Sequence, residues 1–338
     1  MKDPAIWTKR ELHEHLQHAI DVEFWTIPLY LTALYSIKGL KDLKKENYPD
    51  AAKLIHSVVI QEMLHLEIVC NICNALGYAP CFHPPHYDER KTIPFIHPKK
   101  EILPSPLHGY VCRPGALNEE TLKLFCAIEL PHAPTEIAWA TQKTYHSIAD
   151  MYHALKEGIS HLWSDCFVGD DQNKKQKNTF REYHNKEGRG HGFSQVINNL
   201  PSALKGIDAI VEQGEGANSK HVHADFRPPK IEDGKVFDPA WFRGELSHYH
   251  KFNMLRYHHK HLPEVYSEAG DADAEQEQAQ LDVIYHSFLE ALNKSFNADG
   301  EGMTNEFWNN MFALSKAIIA VWEKGARPEF STTKVLNT

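Results

Sequence analysis

Three glutamates stand where helical periodicity puts core residues, and that is the feature the fold must accommodate. In the segment from about Thr8 to Ile37, Leu12, Leu16, Ala19, Ile27, Leu31 and Leu34 recur at steps of three and four, the mark of an amphipathic helix. Glu23 falls on that apolar stripe. In the segment from about Asp50 to Leu76 the row Ile55, Val58, Val59, Leu66, Val69 passes through Glu62. In a later segment, about Pro239–Leu262, the row Trp241, Glu245, His248, Phe252, Leu255 steps by 4, 3, 4, 3. Burying a lone carboxylate is costly, so each of these glutamates needs a positive partner.

Two of them supply part of the answer. Glu62–His65 and Glu245–His248 are both Glu-x-x-His, and residues i and i+3 are neighbours on one helix face. A carboxylate and an imidazole so placed can grip the same cation. One Glu from each of two helices, plus Glu-x-x-His from each of two others, is the ligand set of di-iron and di-manganese carboxylate bundles. Hard carboxylates with a few imidazoles suit iron or manganese.

A fourth carboxylate is needed, and Glu129, Glu136, Glu157 and Glu212 are the candidates. Glu212 is preferred. It closes the helix over about Pro201–Gln213, the one just before Glu245, and antiparallel pairing would bring the two level. Glu157, mid-helix, is the main rival. The outward N–H groups of His65 and His248 need acceptors, for which Asp21 and Asp208 are candidates. Trp25, Tyr30, Tyr35, Tyr249 and His250 flank the ligand positions, as bundle packing or as the lining of a substrate pocket.

The rest of the chain reads as helix and loop, with almost no strand signal. Thr8 and Glu11 form a capping box, and Pro28 should kink the first helix. Eight prolines between Pro80 and Pro114 make that stretch an irregular loop. Further helices are expected at about Asn118–Leu130, Thr135–Trp163, Gln276–Phe296 and Asn305–Gly325. The expected fold is all-α: a four-helix bundle over residues 1–265, carrying an irregular loop at 80–117 and an insertion at 169–200. Residues 266–338 form C-terminal helices packed on it.

Composition narrows the function. Lys and Arg number 36 against 45 Asp and Glu, a net charge of −9, which argues against a nucleic-acid partner. Met1-Lys2-Asp3-Pro4 lacks the apolar core of a signal peptide, and a membrane partner is not expected. The 23 histidines lean towards metal or acid–base chemistry. Cys70 and Cys73 form a lone CxxC inside a helical pattern and read as spectator thiols, and a reducing cytoplasm is the expected compartment.

VEFWTIPLYL, EMLH and IVEQGEG are more specific strings than Glu-x-x-His, and LFCAIELP, SIADMYHALKEGI and ELSHYHKF accompany them. In these segments, in order over about residues 12–255, the chain resembles the ferritin-like domain family that includes the iminophenyl-pyruvate dimer synthases of violacein and rebeccamycin biosynthesis. The resemblance implies a ferritin-like fold with metal ligands at Glu23, Glu62, His65, Glu245 and His248, and it favours Glu212. It points to two iron ions, with manganese as the alternative, and to O2-dependent oxidation of a small, amino-acid-derived substrate in specialised metabolism. An external electron donor and a homodimer fit that reading. Iron handling, as ferroxidase, store or peroxide scavenger, is the competing function.

Overall fold

A computed structural model describes residues 7–87, 93, 96, 107–131, 145–169, 173–179, 195–214, 246–269 and 273–330. Among these residues all regular structure is helical, apart from two isolated bridges, Ile37 with Val265 and Ile96 with Tyr145. The fold is an all-α bundle.

Helix α1 (Lys9–Tyr35) starts on the expected capping box. Glu11 N donates to Thr8 Oγ1, and Thr8 N donates back to Glu11 Oε2. It continues through Pro28 without a break, at the loss of one backbone donor. Helix α2 (Asp50–Ala75) runs antiparallel to it. Gln17, early in α1, bonds Cys81 O and Tyr78, just beyond the end of α2. By length and composition α2 could cross a membrane, but 89% of its apolar window is buried inside the protein, as befits a central core helix.

Helices α3 (Glu119–Ile128) and α6 (His248–Tyr257) complete the bundle. Tyr30, Phe125 and Phe252 join α1, α3 and α6 in one aromatic cluster, with ring centroids 4.6–4.9 Å apart. Such contacts add directional packing to a large buried area.

Among the described residues, two helices come between α3 and α6 in sequence but lie outside the four. Helix α4 (Ile148–Cys166) packs on α1, where Trp7 covers Gly158 so closely that a Cβ there would sit 2.7 Å from the ring. Helix α5 (Leu200–Gly214) packs on α2, with Gly206 against Ile68. The hairpin α7 (Glu275–Asn297) and α8 (Asn305–Glu323) rests on α1 through Trp322, whose Nε1 donates to Thr32 O at 3.1 Å. A strap at 173–179, buried at Gln176 and Lys177, ties α2 to that hairpin. Asn71 bonds the backbone of Lys177, and the Lys177 ammonium donates to the carbonyls of Ala298 and Gly300. Much of the Pro-rich loop, the start of the helix expected from Thr135, and residues 215–245 lie outside the described residues.

Candidate metal centre

Four helices each bring an acid or an imidazole to one buried place. Glu23 comes from α1, Glu62 and His65 from α2, and His248 is the first residue of α6. Glu129 caps the C-terminus of α3. All five are at most 3% exposed, far below what charged side chains tolerate without partners.

Their atoms converge. Glu23 Oε2 lies 3.4 Å from His65 Nδ1, Glu62 Oε1 lies 2.7 Å from His248 Nδ1, and Glu129 Oε1 lies 3.6 Å from the same nitrogen. The two imidazoles stack at 5.3 Å. One ligand atom each from Glu62, His65 and His248 can be chosen so that all three lie within 4.8 Å of one another. His248 Nδ1 is close enough to Glu62 for a hydrogen bond, yet it makes none, because the angle is wrong. Nδ1 and the Glu62 oxygen therefore stand 2.7 Å apart without sharing a hydrogen bond. That is how ligand atoms around a cation are arranged, and the donor set, oxygens with a few imidazoles, suits a hard or borderline divalent ion.

Each carboxylate is held from behind. Thr26 Oγ1 donates to Glu62 Oε2 at 2.7 Å, Tyr30 OH to Glu129 Oε1 at 2.6 Å, and Tyr152 OH to Glu23 Oε1. Burial, with the negative neighbours Glu129 and Glu62 or Glu23, pushes both phenols well above their ordinary 10.0, so they remain donors. Burial, then Glu129 and Glu23, drives Glu62 well above the ordinary 4.5. Burial also pushes Glu129 upward, but the His248 ring, the Tyr30 hydroxyl and His65 outweigh it and leave its pKa lowered. The three carboxylates thus oppose one another's ionisation, a cost that a bound cation would relieve.

The imidazoles are also held from behind, by amides. His65 Nε2 faces Gln213 Oε1 at 3.0 Å and His248 Nε2 faces Gln61 Oε1 at 3.2 Å. Asp21 and Asp208, the candidates for that role, are engaged elsewhere: Asp21 accepts from Gln17, and Asp208 meets Lys156.

Glu212 is not part of the cluster. It sits on the exposed face of α5, as Glu157 does on α4, and Glu129 stands where the fourth carboxylate was sought. The physical reason is topological. The described helix that precedes α6 in sequence, α5, packs on α2 and α4, while the bundle partner of α6 is α3, more than a hundred residues earlier. The contribution of α5 is Gln213 and Gly214; a Cβ on Gly214 would lie 3.3 Å from Glu129 Oε2. Glu245 lies outside the described residues, and α6 begins only at His248, with Ser247 as its N-cap. Glu129 was legible as Leu122, Phe125, Cys126, Glu129, another glutamate in core register. Tyr152, Gln61 and Lys251 were missed; only their core register could have signalled them.

The ferritin-like family model matches residues 16–257, most of the chain. The chain belongs to the ferritin-like family. It is similar to the crystal structure of a ferritin-like protein from Caulobacter vibrioides at 30% identity, with a TM-score of 0.71, covering 96% of this chain and 99% of that one. No curated protein matches it.

Proposed function

We propose that this ferritin-like chain is a non-heme dimetal oxidoreductase that uses O2 on a small organic substrate. The observation that carries the reading is His248 Nδ1, fully buried, 2.7 Å from Glu62 and 3.6 Å from Glu129, and hydrogen-bonded to neither. Glu23, Glu62, His65, Glu129 and His248 would hold two iron ions, or manganese, with Glu245 as a further ligand from the segment before α6. Such ions supply the electrons that O2 chemistry needs.

The protein's own part is to orient and to exclude water. Tyr30, Tyr152 and Thr26 keep three carboxylates turned inward by holding a proton against one oxygen of each. Tyr30, Phe125 and Phe252 close one side of the cluster to solvent. The resemblance to the iminophenyl-pyruvate dimer synthases favours an amino-acid-derived substrate, an external electron donor and a place in specialised metabolism. The helices and loops beyond the four-helix core suit a pocket better than a storage shell.

Anaerobic iron(II) titration followed by O2 uptake tests this. The expected result is two irons per chain, lost in Glu129→Ala and kept in Glu212→Ala, with O2 consumption stimulated by amino-acid-derived metabolites. Uptake of many irons per chain, with no stimulation, would favour iron storage instead.

A further inference from the structure

Lys251 has no exposed surface, and its ammonium lies beneath the metal-ligand cluster, one helical turn beyond His248. It donates to Ser57 Oγ at 3.0 Å and to Gln61 Oε1 at 2.7 Å. Burial lowers its pKa to about 7, and Glu129 and Glu62, pulling the other way, favour the ammonium form. An ammonium offers three donors and no acceptor, so the Gln61 atom facing it must be the amide oxygen rather than the NH2 group. That same oxygen lies 3.2 Å from His248 Nε2. Because an amide oxygen only accepts, Nε2 must carry the hydrogen, and a neutral ring then presents its lone pair at Nδ1. Nδ1 is the buried atom that faces Glu62 and Glu129 without a hydrogen bond.

We infer that Lys251 is a positioning residue for the metal centre: by fixing the direction of the Gln61 amide, it makes His248 offer Nδ1 to an ion beside Glu62 and Glu129. The inference rests on the dimetal reading. Without the lysine, the amide can turn end for end and set its NH2 against the ring, which no longer fixes the nitrogen that faces the ion. His65 is held separately, through Gln213.

A purely electrostatic role predicts the opposite sign. A cation beside two divalent ions repels them, so removing it should tighten binding. A positioning role predicts that removal loosens it, at one ion only.

The test is a cobalt(II) titration of the full-length, metal-free protein, followed by visible absorption, with circular dichroism to check folding. The wild-type chain should take two ions. In Lys251→Met one of the two affinities should fall about tenfold or more, the usual cost of losing an outer hydrogen-bond partner, and the other should stay. Adding Gln61→Glu to Lys251→Met should restore the lost affinity, since a carboxylate accepts whichever way it turns. If Lys251→Met does not fold, Gln61→Leu must show the same loss at one ion. Unchanged or tighter binding in Lys251→Met, or no rescue by Gln61→Glu, overturns the inference. A wild-type chain that takes no cobalt instead overturns the dimetal reading beneath it.

Discussion

Glu62 shows how a single side chain can cost the metal-free protein stability. Its pKa is raised in the folded state, first by burial and then by Glu129 and Glu23. A group of this kind stabilises fully below its unfolded pKa, near 4.5, and that contribution is lost as pH rises towards the raised folded value. Glu62→Gln keeps the acceptor for Thr26 and removes the charge. The metal-free variant should therefore melt higher than the metal-free wild type at neutral pH and alike in acid. Thermal melts across pH check this; parallel curves would mean that Glu62 is not buried as described. The same residue explains why the site was legible in sequence. A Glu in an apolar stripe is conspicuous because its burial is expensive, and Glu23, Glu62 and His65 are conspicuous in that way. Gln61 and Lys251 are less so, because an amide or a long lysine on a helix is ordinary at the surface.

At the level of the helix, close approach decides. Gly206 lies on α5 where a Cβ would stand 2.8 Å from Ile68 Cγ2 and 3.7 Å from Ile197 Cδ1. In an isolated helix, Gly→Ala gains about 1 kcal/mol. Overpacking against a buried isoleucine costs about 1–3 kcal/mol. Gly206→Ala should therefore destabilise, which urea unfolding would read as a lower midpoint; a higher midpoint would show that α5 can shift away from α2. Long helices were the most legible elements. The periodicity of α1 and α2 reproduced their extents to within two residues, because twenty-odd positions of stripe average out local exceptions. Of the shorter helices, α3 and α5 were placed just as closely, whereas α6 was not. Helix α6, with ten residues, is too brief to reveal from its pattern that Ser247 caps it.

For the whole molecule, the site depends on a crossover that periodicity does not encode. The third bundle helix, α3, and the fourth, α6, are separated in sequence by α4 and α5, so neighbours along the chain pointed to Glu212, which lies exposed on α5, rather than to the buried Glu129. Nothing in the local pattern of Glu212 or Glu129 records which helix sits beside α6; only packing does. The C-terminal hairpin is part of the same core rather than an appendage. Trp322 is 1% exposed and bonded to Thr32 O, on the helix that carries Glu23. Trp322→Ala should cost about 3–5 kcal/mol, the range for a buried aromatic. Unfolding should remain a single transition that moves to lower denaturant. A separate early transition would mean that the hairpin folds independently of the bundle.

The most direct measurement of the central claim is anomalous diffraction at the iron edge from crystals grown with iron(II) under anaerobic conditions. Two peaks should appear within bonding distance of Glu23, Glu62, His65, Glu129 and His248, one of them at His248 Nδ1. Iron found only at the protein surface, with these five side chains free of it, would contradict the account.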